Sequence, residues 1–143
     1  MANEWTHRMQ DAAINPAAFA LPAAANTTRS AQVDLGTPST GGLNPRLARF
    51  EIEISAPALT VAQLANAQTV SYTVEDSATS GAAWAAIGGI QLVQTGAGGV
   101  GAAAAVVRYR LPSDAARYIN INATASAGAG NPSTADCTPS FRF

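Results

Sequence analysis

Short stretches of alternating apolar and polar residues, closed by Gly or Pro, constrain the fold of this chain more than any other feature of its sequence. In the clearest stretch, residues 46 to 55, apolar residues alternate with charged ones: Phe50, Ile52 and Ile54 with Arg49, Glu51 and Glu53. Successive side chains of a β-strand point to opposite faces of a sheet. The pattern therefore predicts a strand with one buried face and one face open to solvent or a partner.

Similar stretches follow along the chain, at residues 31–35, 69–75, 90–95, 103–111, 118–125 and 137–143. Residues 60–67 instead have apolar positions at helical spacing after Thr60, and they predict one or two helical turns. Pro139 predicts that the last strand lies at an edge or a bulge. About seven or eight short strands with regular turn signals predict an all-β domain, a jelly-roll-like β-sandwich over residues 31–143.

The first 30 residues differ from the rest because their apolar residues follow no period. Pro16 and Pro22 prevent a long helix. We expect residues 1–30 to form an extended N-terminal arm with isolated apolar anchors; the alternative is a disordered tail. The anchors, which we expect to bind a partner, are Trp5, Met9, Ile14, Phe19 and Leu21.

Charged residues make up only 12% of the chain, about half the usual share for a globular domain. All eight basic residues are arginine, and the net charge is −1. Low charge suits a surface that is covered by a partner, and arginine is the cation preferred at interfaces. A codon bias toward Ala and Arg is the alternative cause. The arginines are scattered and no long apolar segment occurs, so we expect neither direct nucleic-acid binding nor a membrane span.

The sequence contains few of the residue types that catalytic chemistry requires. His7 and Cys137 are the single residues of their types, so a zinc site of nitrogen and sulfur ligands within one chain is excluded. Without lysine there is no Schiff-base chemistry, and His7 lies in the arm, where rigid placement is not expected. We therefore expect no enzyme activity, no catalytic residues, no bound metal and no cofactor.

Three weaker hypotheses remain open at this stage. Glu51 and Glu53 on one strand face have a spacing that a glycosidase pair allows. The Glu75-Asp76 turn offers oxygen ligands for calcium, although acidic turns without calcium are commoner. A carbohydrate-binding or host-attachment module, as on a head fibre or tail protein, predicts an exposed aromatic platform. The candidate aromatic residues are Tyr72, Trp84, Tyr109 and Tyr118, for which core packing is the competing interpretation.

An ordered series of short motifs resembles a known family. It begins with Val33-Asp34-Leu35-Gly36 and continues with SYTVEDS at 71–77, Trp84, YRLP at 109–112 and ARYINI at 116–121. This series resembles the capsid cement (decoration) proteins of tailed bacteriophages, in particular the small jelly-roll type of a Bordetella phage, over roughly residues 25 to 125. The chain departs from the family in having Ala-Thr-Ser at 78–80, where acidic residues are common, and in its longer lead-in arm.

The resemblance implies a structural role in the virion. Proteins of this family bind the outer surface of the capsid and cement neighbouring capsomers, without catalytic residues. It implies the major capsid protein as a partner and self-association into a homodimer or homotrimer. In this chain we expect the arm, and the strand face of Arg49, Glu51 and Glu53, to make those contacts.

Overall fold

A computed structural model describes residues 16–35 and 50–142 of the chain. These residues form nine β-strands and one single-turn 3-10 helix at Pro132–Thr134. The strands are β1 (Phe19–Ala20), β2 (Thr27–Arg29), β3 (Val33–Asp34), β4 (Glu51–Ala56), β5 (Thr69–Ser77), β6 (Ala85–Thr95), β7 (Ala105–Arg110), β8 (Tyr118–Ala125) and β9 (Asp136–Arg142). None of the helices found in this part of the chain is long and apolar enough to cross a membrane.

The strands form two antiparallel sheets. One has the order β1-β9-β4-β7, and the other has the order β2-β8-β5-β6, with β3 pairing to β8 next to β2. Only the β2–β3 and β5–β6 connections stay within a sheet, and the other six pass from one sheet to the other. The two sheets share one hydrophobic core, so the prediction of an all-β sandwich is confirmed.

Alternation in the sequence becomes the two faces of each sheet. On β4, Ile52 and Ile54 are fully buried, whereas Glu51 and Glu53 point outward and are half-buried. On β8, apolar residues at every second position enter the same core from the opposite sheet. Packing of Val, Ile and Ala from two facing sheets removes apolar surface from water, and this burial is the main force that holds the sandwich together.

The sandwich begins earlier than the predicted boundary at residue 30. Phe19 pairs with Cys137 across β1 and β9, and Thr28 pairs with Ala123 across β2 and β8. Leu21, between these two strands, is fully buried. The second half of the predicted arm is thus part of the domain, because two very short strands extend the two sheets. Residues 1–15 lie outside the described residues.

The segment after β4 forms one helical turn, within the predicted one or two. The Leu64 N–H donates to the Thr60 carbonyl at 2.8 Å, and the Gln63 side-chain oxygen accepts from the Thr60 N–H at 2.8 Å. These bonds close one helical turn that starts at Thr60, as its capping position predicts. The turn stops there because Ala67 N–H bonds to the carbonyl of Gly96 and not to the preceding turn.

β6 is longer than predicted because it contains a bulge. Gly88 and Gly89 both have positive φ, and the register with β5 shifts around Thr73. Val74 of β5 therefore lacks a backbone partner on β6 at this point, and its N–H donates instead to the side-chain oxygen of Gln91 at 2.6 Å. Glycine supplies the left-handed backbone conformation that other residues rarely adopt.

Candidate functional site

The outer face of the four-stranded sheet holds the predicted carboxylate pair. Glu53 accepts a hydrogen bond from Nε of Arg108 at 2.7 Å, and this bond raises the pKa of the arginine. Glu51 stands opposite Arg110 on β7. Arg49, the third residue predicted for this face, lies outside the described residues. The face is a ladder of opposite charges on neighbouring strands, which is a stabilising arrangement for a sheet surface.

A second charged cluster lies on the five-stranded sheet. Glu75 is 7% exposed and accepts hydrogen bonds from two residues, from Nε and Nη2 of Arg29 at 2.7 and 3.4 Å and from Nδ2 of Asn122 at 2.5 Å. The hydrogen bond with Glu75 raises the pKa of Arg29. The three residues belong to β5, β2 and β8, so the cluster ties together three adjacent strands. Its role in the geometry is to hold the short edge strand β2 in place.

Glu75 and Asp76, raised as a calcium site in an acidic turn, lie instead within β5, where their side-chain oxygens accept hydrogen bonds from the protein. Both carboxylate oxygens of Glu75 accept hydrogen bonds, and Oδ2 of Asp76 accepts the backbone N–H of Ala116 at 2.7 Å. Among residues 16–35 and 50–142, no three His, Cys, Asp or Glu side chains cluster in a way that could hold a metal ion. The geometry of Glu75 and Asp76 gives no support to the calcium hypothesis.

The aromatic side chains proposed for carbohydrate stacking are buried to different degrees. Tyr72 is fully buried and donates its hydroxyl hydrogen to Gln94 Oε1 at 2.7 Å. Trp84, Tyr109 and Tyr118 are half-buried. The guanidinium of Arg117 lies over the ring of Tyr118, 5.0 Å from the ring centroid. In the described part of the chain no aromatic side chain lies open as a flat platform.

Cys137 is the remaining candidate for reactivity. Its side chain is fully buried on the inner face of β9, and burial raises the pKa of the thiol to about 12. A thiolate is the nucleophilic form of cysteine, so this group is unreactive at neutral pH. The sequence-based interpretation of Cys137 as a small buried apolar residue agrees with this environment. His7 lies outside the described residues.

One end of the sandwich has a property that no sequence motif predicts. Four loops meet there, and none of them contains Asp, Glu, Arg or Lys. These loops, which we call the uncharged end, are residues 21–26, 57–68, 96–104 and 126–135. Two large apolar side chains project from this end into solvent, Val61 at 44% and Val100 at 76% exposure.

Backbone hydrogen bonds hold the uncharged end together. Gly101 has φ +79°, and a Cβ at this position would overlap the carbonyl oxygen of Leu59. Glycine is therefore required for the loops to approach each other closely. Three contacts join the four loops: Leu59 N–H to Ala102 O at 2.8 Å, Asn131 N–H to Ala62 O at 3.1 Å and Ala25 N–H to Ser126 O at 3.2 Å. The loops thus form one continuous, backbone-braced surface.

The predicted arm residues divide into two groups in the structure. Phe19 is half-buried in β1 and Leu21 is part of the core, so both stabilise the domain itself. Trp5, Met9 and Ile14 lie outside the described residues, and their role as anchors stays a prediction. The missed surface, the uncharged end, has a signal in the sequence: charge is absent from four separate segments, but only the fold brings them together.

The class of protein that these features define is a two-sheet antiparallel β-sandwich with a charge-free loop surface at one end. No protein-family model matches the chain, and no curated protein sequence matches it.

Proposed function

We propose that the chain is a structural protein of a phage virion, which binds the outer surface of the capsid and cements neighbouring capsomers. The major capsid protein is its partner in this proposal, and the chain needs no catalytic residue or cofactor. The motif series that resembles cement proteins is the origin of the hypothesis. The uncharged end is the structural observation that carries it.

The winding of the sandwich supports the family resemblance. In one sheet the order β1-β9-β4-β7 alternates early and late strands, and in the other the order β2-β8-β5-β6 does the same. Six of the eight connections pass between the sheets. A jelly roll is a double-sheet sandwich built from two Greek keys, and we propose that this chain is wound as one. Fold alone does not define function, so this support is secondary.

The distribution of charge supports a binding role for one end. Acidic and basic side chains pair with each other on the strands or directly beside them, as in Glu53–Arg108, Glu75–Arg29 and Asp34–Arg117. The four loops of the uncharged end contain no ionised group that must lose water when a partner covers them, so burial of these loops avoids that desolvation penalty. Depletion of charge is also what distinguishes the centre of protein interfaces from other surface. We propose this end as the surface that contacts the capsid.

The arm has a separate part in the proposal. Trp5, Met9 and Ile14 precede β1, and we propose that they add apolar anchors to the same shell. A second linked contact raises the effective concentration of the first, so two modest contacts hold better than either alone. Removal of residues 1–15 tests this part without removing β1 or Leu21, both of which belong to the folded domain.

The decisive experiment measures binding to capsids assembled from the major capsid protein of the same genome. Co-sedimentation gives the number of bound copies for the wild type, for the double variant Val61→Asp with Val100→Asp, and for the control Val106→Asp. Val106 is 61% exposed on the outer face of β7, beside the uncharged end but outside its four loops. We expect the double variant to lose at least about tenfold in affinity because it buries two unpaired charges, and the control to bind normally.

Each result has a distinct meaning. Failure of the wild type to bind any form of the capsid contradicts the proposed function. Normal binding by the folded double variant contradicts the role of the uncharged end. Normal binding after deletion of residues 1–15 contradicts the role of the arm alone. Thermal unfolding of each variant, measured in parallel, separates lost binding from lost folding.

A further inference from the structure

The open edges of the two sheets differ in length and regularity. Within the described residues, β1, β2 and β3 contain two or three residues each. β6 is longer, but a bulge at Gln91 shifts its register with β5. Short strands and bulges are devices that keep a sheet edge from pairing with another chain. β7 has neither device, because its six residues pair with β4 without any shift in register.

The backbone of β7 leaves alternate hydrogen-bonding groups free at its open edge. The Leu111 N–H, just after β7, donates to the Phe50 carbonyl at 3.0 Å. Hydrogen-bonded pairs alternate along an antiparallel ladder, so every second residue of β7 bonds to β4. The other residues point their N–H and C=O groups to the side where β7 has no strand partner in the described part of the chain; they are Val106, Arg108 and Arg110. An extended segment of another chain can bond to these groups.

Charge selects the kind of segment that fits this edge. Arg110 is exposed and forms no ion pair among residues 16–35 and 50–142. Arg108 donates through Nε to Glu53 at 2.7 Å, and its two terminal amino groups have no hydrogen bond within the same residues. A guanidinium carries five N–H donors, so it can bind a second carboxylate. Both arginines therefore favour acidic residues on an added strand.

The inner face of β7 favours apolar residues at the alternate positions of that strand. Val107 and Tyr109 pack against the core but are only half-buried. Apolar side chains placed next to them by an added strand remove this remaining apolar surface from water. β4, which pairs with the other side of β7, already has the required pattern in its sequence Glu-Ile-Glu-Ile at residues 51–54.

We propose that the open edge of β7 binds an extended segment of a second protein, in which acidic and apolar residues alternate. The segment extends the four-stranded sheet by one strand, with its acidic side chains next to Arg108 and Arg110 and its apolar side chains next to Val107 and Tyr109. A second copy of β7 does not fit this edge, because it brings the arginines of two copies together. This inference goes beyond capsid binding and does not depend on it.

Titration of the isotope-labelled full chain with a short synthetic peptide, followed by nuclear magnetic resonance, tests this inference. In the probe peptide Glu and Ile alternate, and in the matched control peptide Lys replaces Glu. We expect the Glu-Ile peptide to shift the amide signals of β7, and the Lys-Ile peptide to bind at least about tenfold more weakly. Added salt weakens binding of the Glu-Ile peptide, because the arginines remain exposed at the edge.

Val106→Pro blocks the edge while keeping the bonds between β7 and β4. The Val106 N–H points away from β4, so proline removes a donor only at the open edge, as Pro139 does on β9. We expect Val106→Pro and Arg110→Gln each to weaken binding of the Glu-Ile peptide at least about fivefold. Ile90→Gln is the control, because Ile90 lies on β6 and has the same 61% exposure as Val106. We expect this control to bind the peptide normally.

Each result either supports or overturns the inference. A wild type that does not bind the Glu-Ile peptide, or binds it at residues outside β7, overturns it. Equal binding of the Lys-Ile peptide also overturns it, as does undiminished binding by a folded Val106→Pro or Arg110→Gln variant. Thermal unfolding establishes that each variant is folded, and Arg110→Gln alone decides the test where Val106→Pro is not. Peptide binding by a chain that fails to bind capsids contradicts the proposed function and supports this inference.

Discussion

Tyr72 donates its hydroxyl hydrogen to Oε1 of Gln94 at 2.7 Å, and both side chains are buried between the sheets. Gln94 uses its own amide group to donate to the carbonyls of Pro57 and Ala103, at 2.8 and 2.9 Å. Gln94 thus links β5 and β6 to two of the four loops of the uncharged end, those that contain Pro57 and Ala103. Such a network is stabilising only while every buried polar atom in it has a partner.

Removal of the Tyr72 hydroxyl is the first test of this network. We expect Tyr72→Phe to lower the free energy of unfolding by about 1–3 kcal/mol, because Oε1 of Gln94 stays buried without its donor. The measurement is urea-induced unfolding at neutral pH. Tyr109→Phe removes a hydroxyl from a half-buried ring and serves as the control, with an expected change within about 0.5 kcal/mol. Equal effects of the two variants contradict this assignment.

Cys137 predicts how stability falls in alkali. Burial raises the pKa of its thiol from 9.0 to about 12, so the folded protein holds this proton more tightly than the unfolded chain. The stabilising contribution is complete below the unfolded pKa and is lost as pH rises toward the folded pKa. Between these two pH values, the unfolding free energy of the wild type falls as pH rises. We expect it to fall less steeply in Cys137→Ala, with the two slopes differing by up to about 1.4 kcal/mol per pH unit.

The readout of the cysteine prediction is the slope against pH and not the absolute stability. Cys137→Ala leaves a small cavity, which lowers stability at every pH by a constant amount. Tyr72 also contributes to the alkaline slope, because burial, followed by the nearby Cys137, raises the pKa of its hydroxyl. The contribution of Tyr72 starts above the usual tyrosine pKa, and the part caused by burial, which is the larger one, remains in the alanine variant. An unchanged slope in that variant contradicts the prediction.

Strands with a long alternating pattern were predictable from the sequence. β8 was predicted at 118–125 and occupies Tyr118–Ala125, because Ile119 and Ile121 alternate with Asn120 and Asn122 along its length. β1 and β2 were not predictable. They contain two and three residues, so no period can be recognised, and what defines them is backbone pairing with β9 and β8. Pairing across a hundred residues of chain leaves no local signal.

Pro139 obeys the rule that proline in a sheet lies at an edge or a bulge, but this becomes clear only from the pairing of the whole sheet. An edge or bulge was predicted for it, yet β9 lies between β1 and β4. β1 pairs only with Asp136 and Cys137, and Pro139 stands opposite Ile54 of β4. Within the described residues, the other side of β9 is therefore open at Pro139, and the missing N–H costs no ladder bond there. The uncharged end depends in the same way on tertiary structure.

Glu75 supports a prediction about the edge strand β2. In Glu75→Gln, one of the two donors that now bind the carboxylate, Arg29 or Asn122, faces an amide NH2 group. We expect a loss of about 1–3 kcal/mol in unfolding free energy, since Glu75 is buried and its bonds are charge-assisted. Urea unfolding measures this, and Glu51→Gln on the half-buried outer face of β4 is the control, expected to cost at most about 1 kcal/mol.

Hydrogen exchange locates the effect of Glu75→Gln within the fold. We expect faster exchange of the β2 amides, because this strand has β8 as its one strand partner among the described residues and loses its side-chain link to β5. The β4 amides, in the other sheet, keep the wild-type rate apart from the change in global stability. A uniform effect on both sheets contradicts the local role assigned to the Arg29–Glu75 pair.

Gly101 gives the strongest prediction for the uncharged end. Its φ of +79° and its approach to the Leu59 carbonyl leave no room for a side chain, so we expect Gly101→Ala to cost at least about 2 kcal/mol. Gly98, in the same loop, has open space at the Cβ position and no positive φ, and Gly98→Ala is expected to change stability by less than about 0.5 kcal/mol. Urea unfolding of the two variants measures the difference.

Because the Leu59–Ala102 pairing lies beside Gly101, we also expect weaker capsid binding in Gly101→Ala at temperatures where it remains folded, while Gly98→Ala binds normally. A Gly101→Ala variant as stable as Gly98→Ala contradicts the close approach of these two loops.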